Sequence, residues 1–182
     1  MLDAAVERFW QQGYTRTSVR ELAADMRITG ASLYNAFGDK RTLFILALGR
    51  YVENHSLKAL EAVAAADNPV KALRQFLDNI VERAATTGRG CLLISSAVDL
   101  SQEDAALRDE VRQHLGRVEG ALRRILRSAR KQALIPADVD CTGQARKILS
   151  AIVSLQVLAR TRSDPAVLKS IARSALFDLG LH

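Results

Sequence analysis

Only 3 prolines and 10 glycines are available to interrupt the 182 residues of this chain. So few breakers exclude a loop-rich or collagen-like protein. Hydrophobic residues at 48% and charged residues at 25% likewise exclude an intrinsically disordered one. Cysteine is scarce too: Cys91 and Cys141 stand alone, and His55, His114 and His182 are scattered. Neither a disulfide framework nor a zinc centre has the ligands it needs, so no metal or cofactor is expected. The longest near-apolar run, about residues 151 to 159, is broken by Ser154 and Gln156 and is too short to span a bilayer. The first five residues carry Asp3 where a signal peptide needs lysines, so a cytoplasmic protein with no membrane partner is expected. Missing as well are a nucleophile–base–acid set and a phosphate loop, which argues against an enzyme.

What remains is rich in Ala, Leu, Arg and Glu with few β-branched alternations, the mark of an all-α fold. Leu2, Ala5, Val6, Phe9 and Trp10 form the stripe of a first helix, stopped by Gly13. Ser18 with Glu21 three residues on is a capping box opening a second helix. A third begins at Thr29, and Gly38-Asp39 ends it and caps a long fourth helix from Lys40 to about Ala65. Asp67-Asn68-Pro69 is the next break. A stripe of Val70, Leu73, Phe76, Leu77, Ile80 and Val81 follows. After the apolar segment Cys91 to Leu100 comes a long amphipathic helix bearing Leu107, Val111, Leu115, Val118, Leu122, Ile125 and Ala129. Two further helices are expected, from about Asp138 to Arg162 and from Pro165 to Leu179.

The two short helices over about residues 18–37, braced by the first, make a helix-turn-helix whose second member enters the major groove of DNA. Leu22, Met26, Ile28, Leu33 and Phe37 supply its core with Val6 and Phe9. Arg27, Thr29, Gly30, Ala31, Ser32, Tyr34 and Asn35 are left pointing outward. Ala31 and the Thr29 methyl suit thymine methyls, and Asn35 suits the N6/N7 edge of adenine. The net charge of +6 permits a polyanionic partner without requiring one.

The order Leu2-Asp3-Ala4-Ala5, Phe9, Gly13-Tyr14, Thr17-Ser18, Leu22-Ala23, Ser32-Leu33-Tyr34, Phe37, Lys40 and Leu43 resembles the tetracycline-repressor (TetR-type) family of bacterial transcription regulators. The resemblance covers about 45 residues. It implies that Thr17, Ser18, Tyr34 and Lys40 contact phosphates while residues 29 to 35 read bases. Phe37, and in a competing reading Tyr34, only packs the small domain. Two departures stand out. Met26-Arg27 occupies the place of a common Ala-Gly pair. The basic arm that family members carry ahead of the first helix has no counterpart after Met1, so it is expected to be absent or to lie upstream. Fewer phosphate contacts would mean weaker binding and a shallower salt dependence.

The expected organisation is therefore a helix-turn-helix DNA-binding domain at 1–45 joined through the fourth helix to a ligand-binding and dimerisation domain at 46–182. One recognition helix reads too few base pairs for a genome, so a homodimer on a double-stranded DNA operator is expected. Its interface falls on Ile152, Val153 and Val157 of the penultimate helix, apolar all round its axis, and on Ser170, Ser174, Phe177 and Leu181 at the end of the chain. The resemblance implies a small-molecule inducer among the middle helices, where Phe76, Leu77, Ile80, Leu92, Leu93, Ser96 and His114 are candidates by position. Cys91, beside Arg89 at a helix start, is either a reactive thiol or a small core residue. The run Arg123, Arg124, Arg127, Arg130, Lys131 reads as a solvated helix face. A ligand-responsive repressor is the leading reading; the alternative is a helical dimer that binds a small molecule or protein and has little DNA affinity.

Overall fold

The computed structural model describes residues 1–87, 90–99, 104–161 and 164–180, the side chains at 85 and 87 aside. Their regular secondary structure is all helical, with no strand among the described residues. The helices are α1 (Leu2–Gln12), α2 (Val19–Met26), α3 (Gly30–Phe37), α4 (Lys40–Tyr51), α5 (Lys58–Ala64), α6 (Pro69–Thr87), α7 (Leu92–Asp99), α8 (Ala105–Lys131), α9 (Cys141–Ala159) and α10 (Pro165–Ser174).

Side chains set most of the helix starts, because the first N–H groups of a helix have no partner of their own. Ser18 and Glu21 form the reciprocal capping box of α2. Thr29 caps α3 by accepting from the Ser32 N–H, and Asp39 caps α4 through the Thr42 N–H. That bond holds the Asp39 carboxyl below its ordinary range. Two expectations need correction. The fourth helix is not α-helical to Ala65: residues Val52–Leu57 form a π-helical segment between α4 and α5. The last helix stops at Ser174, and Phe177–Leu179 form a 3-10 turn closed by Gly180 at φ 72.

The chain divides into two compact units. The first joins Met1–His55 to Cys91–Leu115, so the unit that holds the helix-turn-helix also takes in α7 and the start of α8. Its core is built on α1 and α4, with Phe9 meeting Phe44 edge-on at 4.9 Å between centroids. Both rings are fully buried, as are Leu22, Leu33, Leu43 and Leu48; each such side chain contributes roughly 1.5–3 kcal/mol. Gly13 is constrained twice: it takes φ +78, and a Cβ there would lie 3.4 Å from the Asp99 carboxylate. The second unit joins Ser56–Gly90 to Gly116–His182. In it α6, α9 and α10 pack on one another around Leu73, Leu77, Ile148, Leu155 and Leu168. A buried amide ties two of its elements: Gln144 Nε2 donates to the Ala175 carbonyl at 2.6 Å.

Candidate nucleic-acid interface

The recognition surface begins with the turn between α2 and α3. Met26 is the last buried residue of α2, and Arg27 follows in the left-handed region at φ 57, ψ 42. The Arg27 N–H reaches the Ala24 carbonyl at 3.1 Å and the Ile28 N–H reaches that of Ala23 at 3.0 Å, the Schellman pattern that closes a helix. Glycine usually fills this position because a Cβ is strained there. We expect Arg27→Gly to raise the stability of the free protein by about 0.5–1 kcal/mol while lowering DNA affinity through the lost charge. Thermal melting and a binding isotherm separate the two effects.

On α3, Leu33 alone is buried, Gly30 and Phe37 are half-buried, and Ala31, Ser32, Tyr34, Asn35 and Ala36 are exposed. Tyr34 shows 51% of its surface. Most of this helix is therefore available to a partner, and its small side chains let its backbone approach closely. Thr29 Oγ1 and Ser32 Oγ are 2.9 Å apart, which leaves the Thr29 methyl and the Asn35 amide as the groups best suited to base edges. Arg20, Ala24 and Arg27 are exposed at i, i+4 and i+7 spacing, so they share one face of α2 and its turn. Arg16 is exposed in the preceding loop, its Nε donating to the Gln12 carbonyl at 3.0 Å. Arg16 and Arg20 were not among the expected contacts, although the spacing of Arg20 to Arg27 is visible in the sequence.

Three expected phosphate ligands are engaged inside the protein. Thr17 is 1% exposed, and its hydroxyl donates to the Gly13 carbonyl at 2.7 Å; it pins the loop after α1. Ser18 Oγ donates to Glu21 Oε2 at 2.7 Å and the Ser18 N–H goes to the same oxygen, bonds that hold the Glu21 carboxyl below its ordinary range. Lys40 Nζ donates to the carbonyls of Tyr14 and Thr17, both at 3.0 Å, and lies 4.4 Å from the Tyr14 ring centre. Partial burial pulls its pKa below the usual lysine value. These residues brace the α1–α2 loop. Arg8 is likewise committed, Nη2 donating to Asp25 Oδ1 at 2.8 Å.

The other predicted sites are divided. Phe76, Leu77 and Ile80 belong to the second unit, whereas Cys91, Leu92, Leu93, Ser96 and His114 belong to the first. Phe76 and Cys91 are half-buried and the rest buried. Ser96 Oγ donates to the Leu92 carbonyl at 2.7 Å, and His114 Nε2 lies 3.1 Å from Glu110 Oε1. The apolar ring around α9 is uneven: Ile152 is buried in its own subunit, Val153 half-buried and Val157 exposed. Ser170 and Ser174 are exposed, and Phe177 shows 62% of its surface. All three border a groove of about 1350 Å³ between α9 and α10. Arg89, Leu100 and Leu181 lie outside the described residues.

Comparison with known proteins bears on this geometry. The family model for bacterial regulatory proteins of the tetR family matches residues 1–47. The tetracyclin repressor-like C-terminal domain matches residues 69–175. The chain is 26% identical over 178 residues to the HTH-type transcriptional repressor ComR of Escherichia coli, covering 96% of this chain and 85% of ComR. It is 28% identical over 167 residues to YezE of Bacillus subtilis, an HTH-type transcriptional regulator, covering 90% and 86%. Among solved structures, the TetR family regulator CifR bound to 26-base-pair operator DNA superposes with a TM-score of 0.84 at 28% identity over 97% of this chain and 93% of that one. The fold, the exposed third helix and both family models agree: the chain belongs to the TetR family of bacterial transcriptional regulators.

Proposed function

We propose that this regulator is a dimeric repressor that holds a palindromic operator and is released by a small-molecule inducer. The observation that carries the DNA-binding half is the outward face of α3, five exposed residues flanked by Arg20 and Arg27. The groove between α9 and α10, edged by Phe177, supports pairing with a second copy. A solved relative supports the DNA partner: CifR, 28% identical, is bound to operator DNA. An inducer acts only by binding two states with different affinity. The fourth helical run is the element through which such a difference would reach the DNA-binding unit, and its π-helical segment includes the boundary between units, His55/Ser56. Helices of this kind are rare and favour functional positions.

A second reading has an observation of its own. Residues 1–47 carry six basic and five acidic side chains, and Arg8, Lys40 and Arg41 have partners within the protein. A helical dimer with little DNA affinity would fit that charge balance. Mobility shift on the promoter fragment next to the coding region tests the choice. Within the DNA-binding reading, Arg20→Ala weakens binding to all sequences and flattens the salt slope by about 1. Asn35→Ala instead relaxes preference at one position per half-site, where a good contact is worth roughly 1–3 kcal/mol.

A further inference from the structure

Arg41 sits in the first turn of α4 and is bound by a residue from far along the chain. Its Nη2 lies 2.7 Å from Asp104 Oδ1, with 43% of the arginine side chain and 24% of the aspartate exposed. Asp104 also caps α8, because the same oxygen accepts the Leu107 N–H at 3.0 Å. The contact with Arg41 is one-pronged. Arg41 Nε is buried and finds no hydrogen-bond partner among the described residues, although a guanidinium meets a carboxylate or phosphate best with two parallel bonds. Two of the other cations of residues 1–47, Arg8 and Lys40, make two hydrogen bonds each, Arg8 to the Asp25 carboxylate and Lys40 to two carbonyls; Arg41 has one short contact, to a residue outside that stretch.

We propose that Arg41 is an exchangeable DNA-phosphate ligand and that Asp104 competes with DNA for it, so that the N-terminal cap of α8 sets DNA affinity. Once released from Asp104, the guanidinium can turn outward, where a phosphate offers it two acceptors, one of them for the Nε–H, and DNA releases counterions on binding. With Asp104 in place, that gain is offset by the lost ion pair. Displacement of the start of α8 would free Arg41 and tighten binding; stronger docking would weaken it. The inference rests on the DNA-binding reading above.

Asp104→Asn tests it, because asparagine keeps an oxygen for the Leu107 N–H and caps a helix as well as aspartate does, while giving up the charge. The probe is a labelled duplex of about 30 base pairs and arbitrary sequence, titrated across a salt series, since phosphate contacts need no particular bases. D104N should bind about threefold to tenfold more tightly at low salt, with the salt slope steeper by about 0.9. In an Arg41→Ala background the same substitution should change neither quantity. Unchanged affinity and slope in D104N would overturn the proposal. So would a gain of equal size in the Arg41→Ala background, which would reduce Asp104 to one negative charge among others. If neither wild type nor D104N binds the duplex at any salt, the DNA-binding reading fails and the inference fails with it.

Discussion

Phe177→Lys is expected to give a folded, helical monomer that has lost operator binding. The side chain stands on the 3-10 turn after α10 and is 62% exposed, so its loss costs the subunit's own core little. Leu176 and Leu179 on either side are each 2% exposed and hold the turn in place. A carboxylate would be the weaker test here. Arg146, Lys147, Lys169 and Arg173 line the same groove, and although Lys147 pairs with Asp178 and Arg146 with Glu119, a glutamate at 177 would find a cation within the groove. A lysine meets like charge instead, twice over across a two-fold axis, at a cost of several kcal/mol when buried. Each half-site then binds alone, without the effective concentration that linkage supplies, a loss of about 100-fold or more. Sedimentation at micromolar protein with far-ultraviolet circular dichroism reads both halves of the expectation. A persisting dimer would move the interface away from this groove.

Lys40→Ala is the second large effect, and it separates a brace from a phosphate ligand. The ammonium group ties the start of α4 to the carbonyls of Tyr14 and Thr17 and covers the Tyr14 ring. Hydrogen bonds to a charged group contribute about 1.5–3 kcal/mol each before solvent exposure is allowed for, and the ring contact adds about 0.5–1 kcal/mol. For this half-buried site we expect a net loss of about 2–3 kcal/mol in the stability of the free protein. A lysine that served only phosphates would leave the melting temperature unchanged. Chemical denaturation of the variant in the absence of DNA decides between the two roles.

These expectations show which parts of the molecule a sequence can reveal. Ser18, Thr29 and Asp39 were legible because a cap bonds the backbone two or three residues away, and the whole interaction lies inside a short window. Leu33 and the outward face of α3 were legible from helical spacing. The internal bonds of Thr17 and Lys40 were not legible, because their partners are backbone carbonyls of the loop between α1 and α2, and nothing in the residue types says that a lysine will turn inward. Arg41 and Asp104 lie 63 positions apart, a pairing that only the packed structure brings about. The early end of α10 was missed because no glycine or proline marks it before Gly180. The π-helical segment Val52–Leu57 has no sequence signature that the periodicity of the fourth helix would disclose.

Recovery of bound sequences from a pool of random duplexes tests the central claim, that α3 of each subunit in a dimer reads bases in one half of a symmetric site. Selection with the wild-type chain should enrich a two-fold symmetric motif whose half-sites are centred about one helical turn, or a multiple of it, apart. Selection with Asn35→Ala should return the same spacing with one position per half-site relaxed. An enriched motif without two-fold symmetry, or one that Asn35→Ala leaves unaltered, would contradict it.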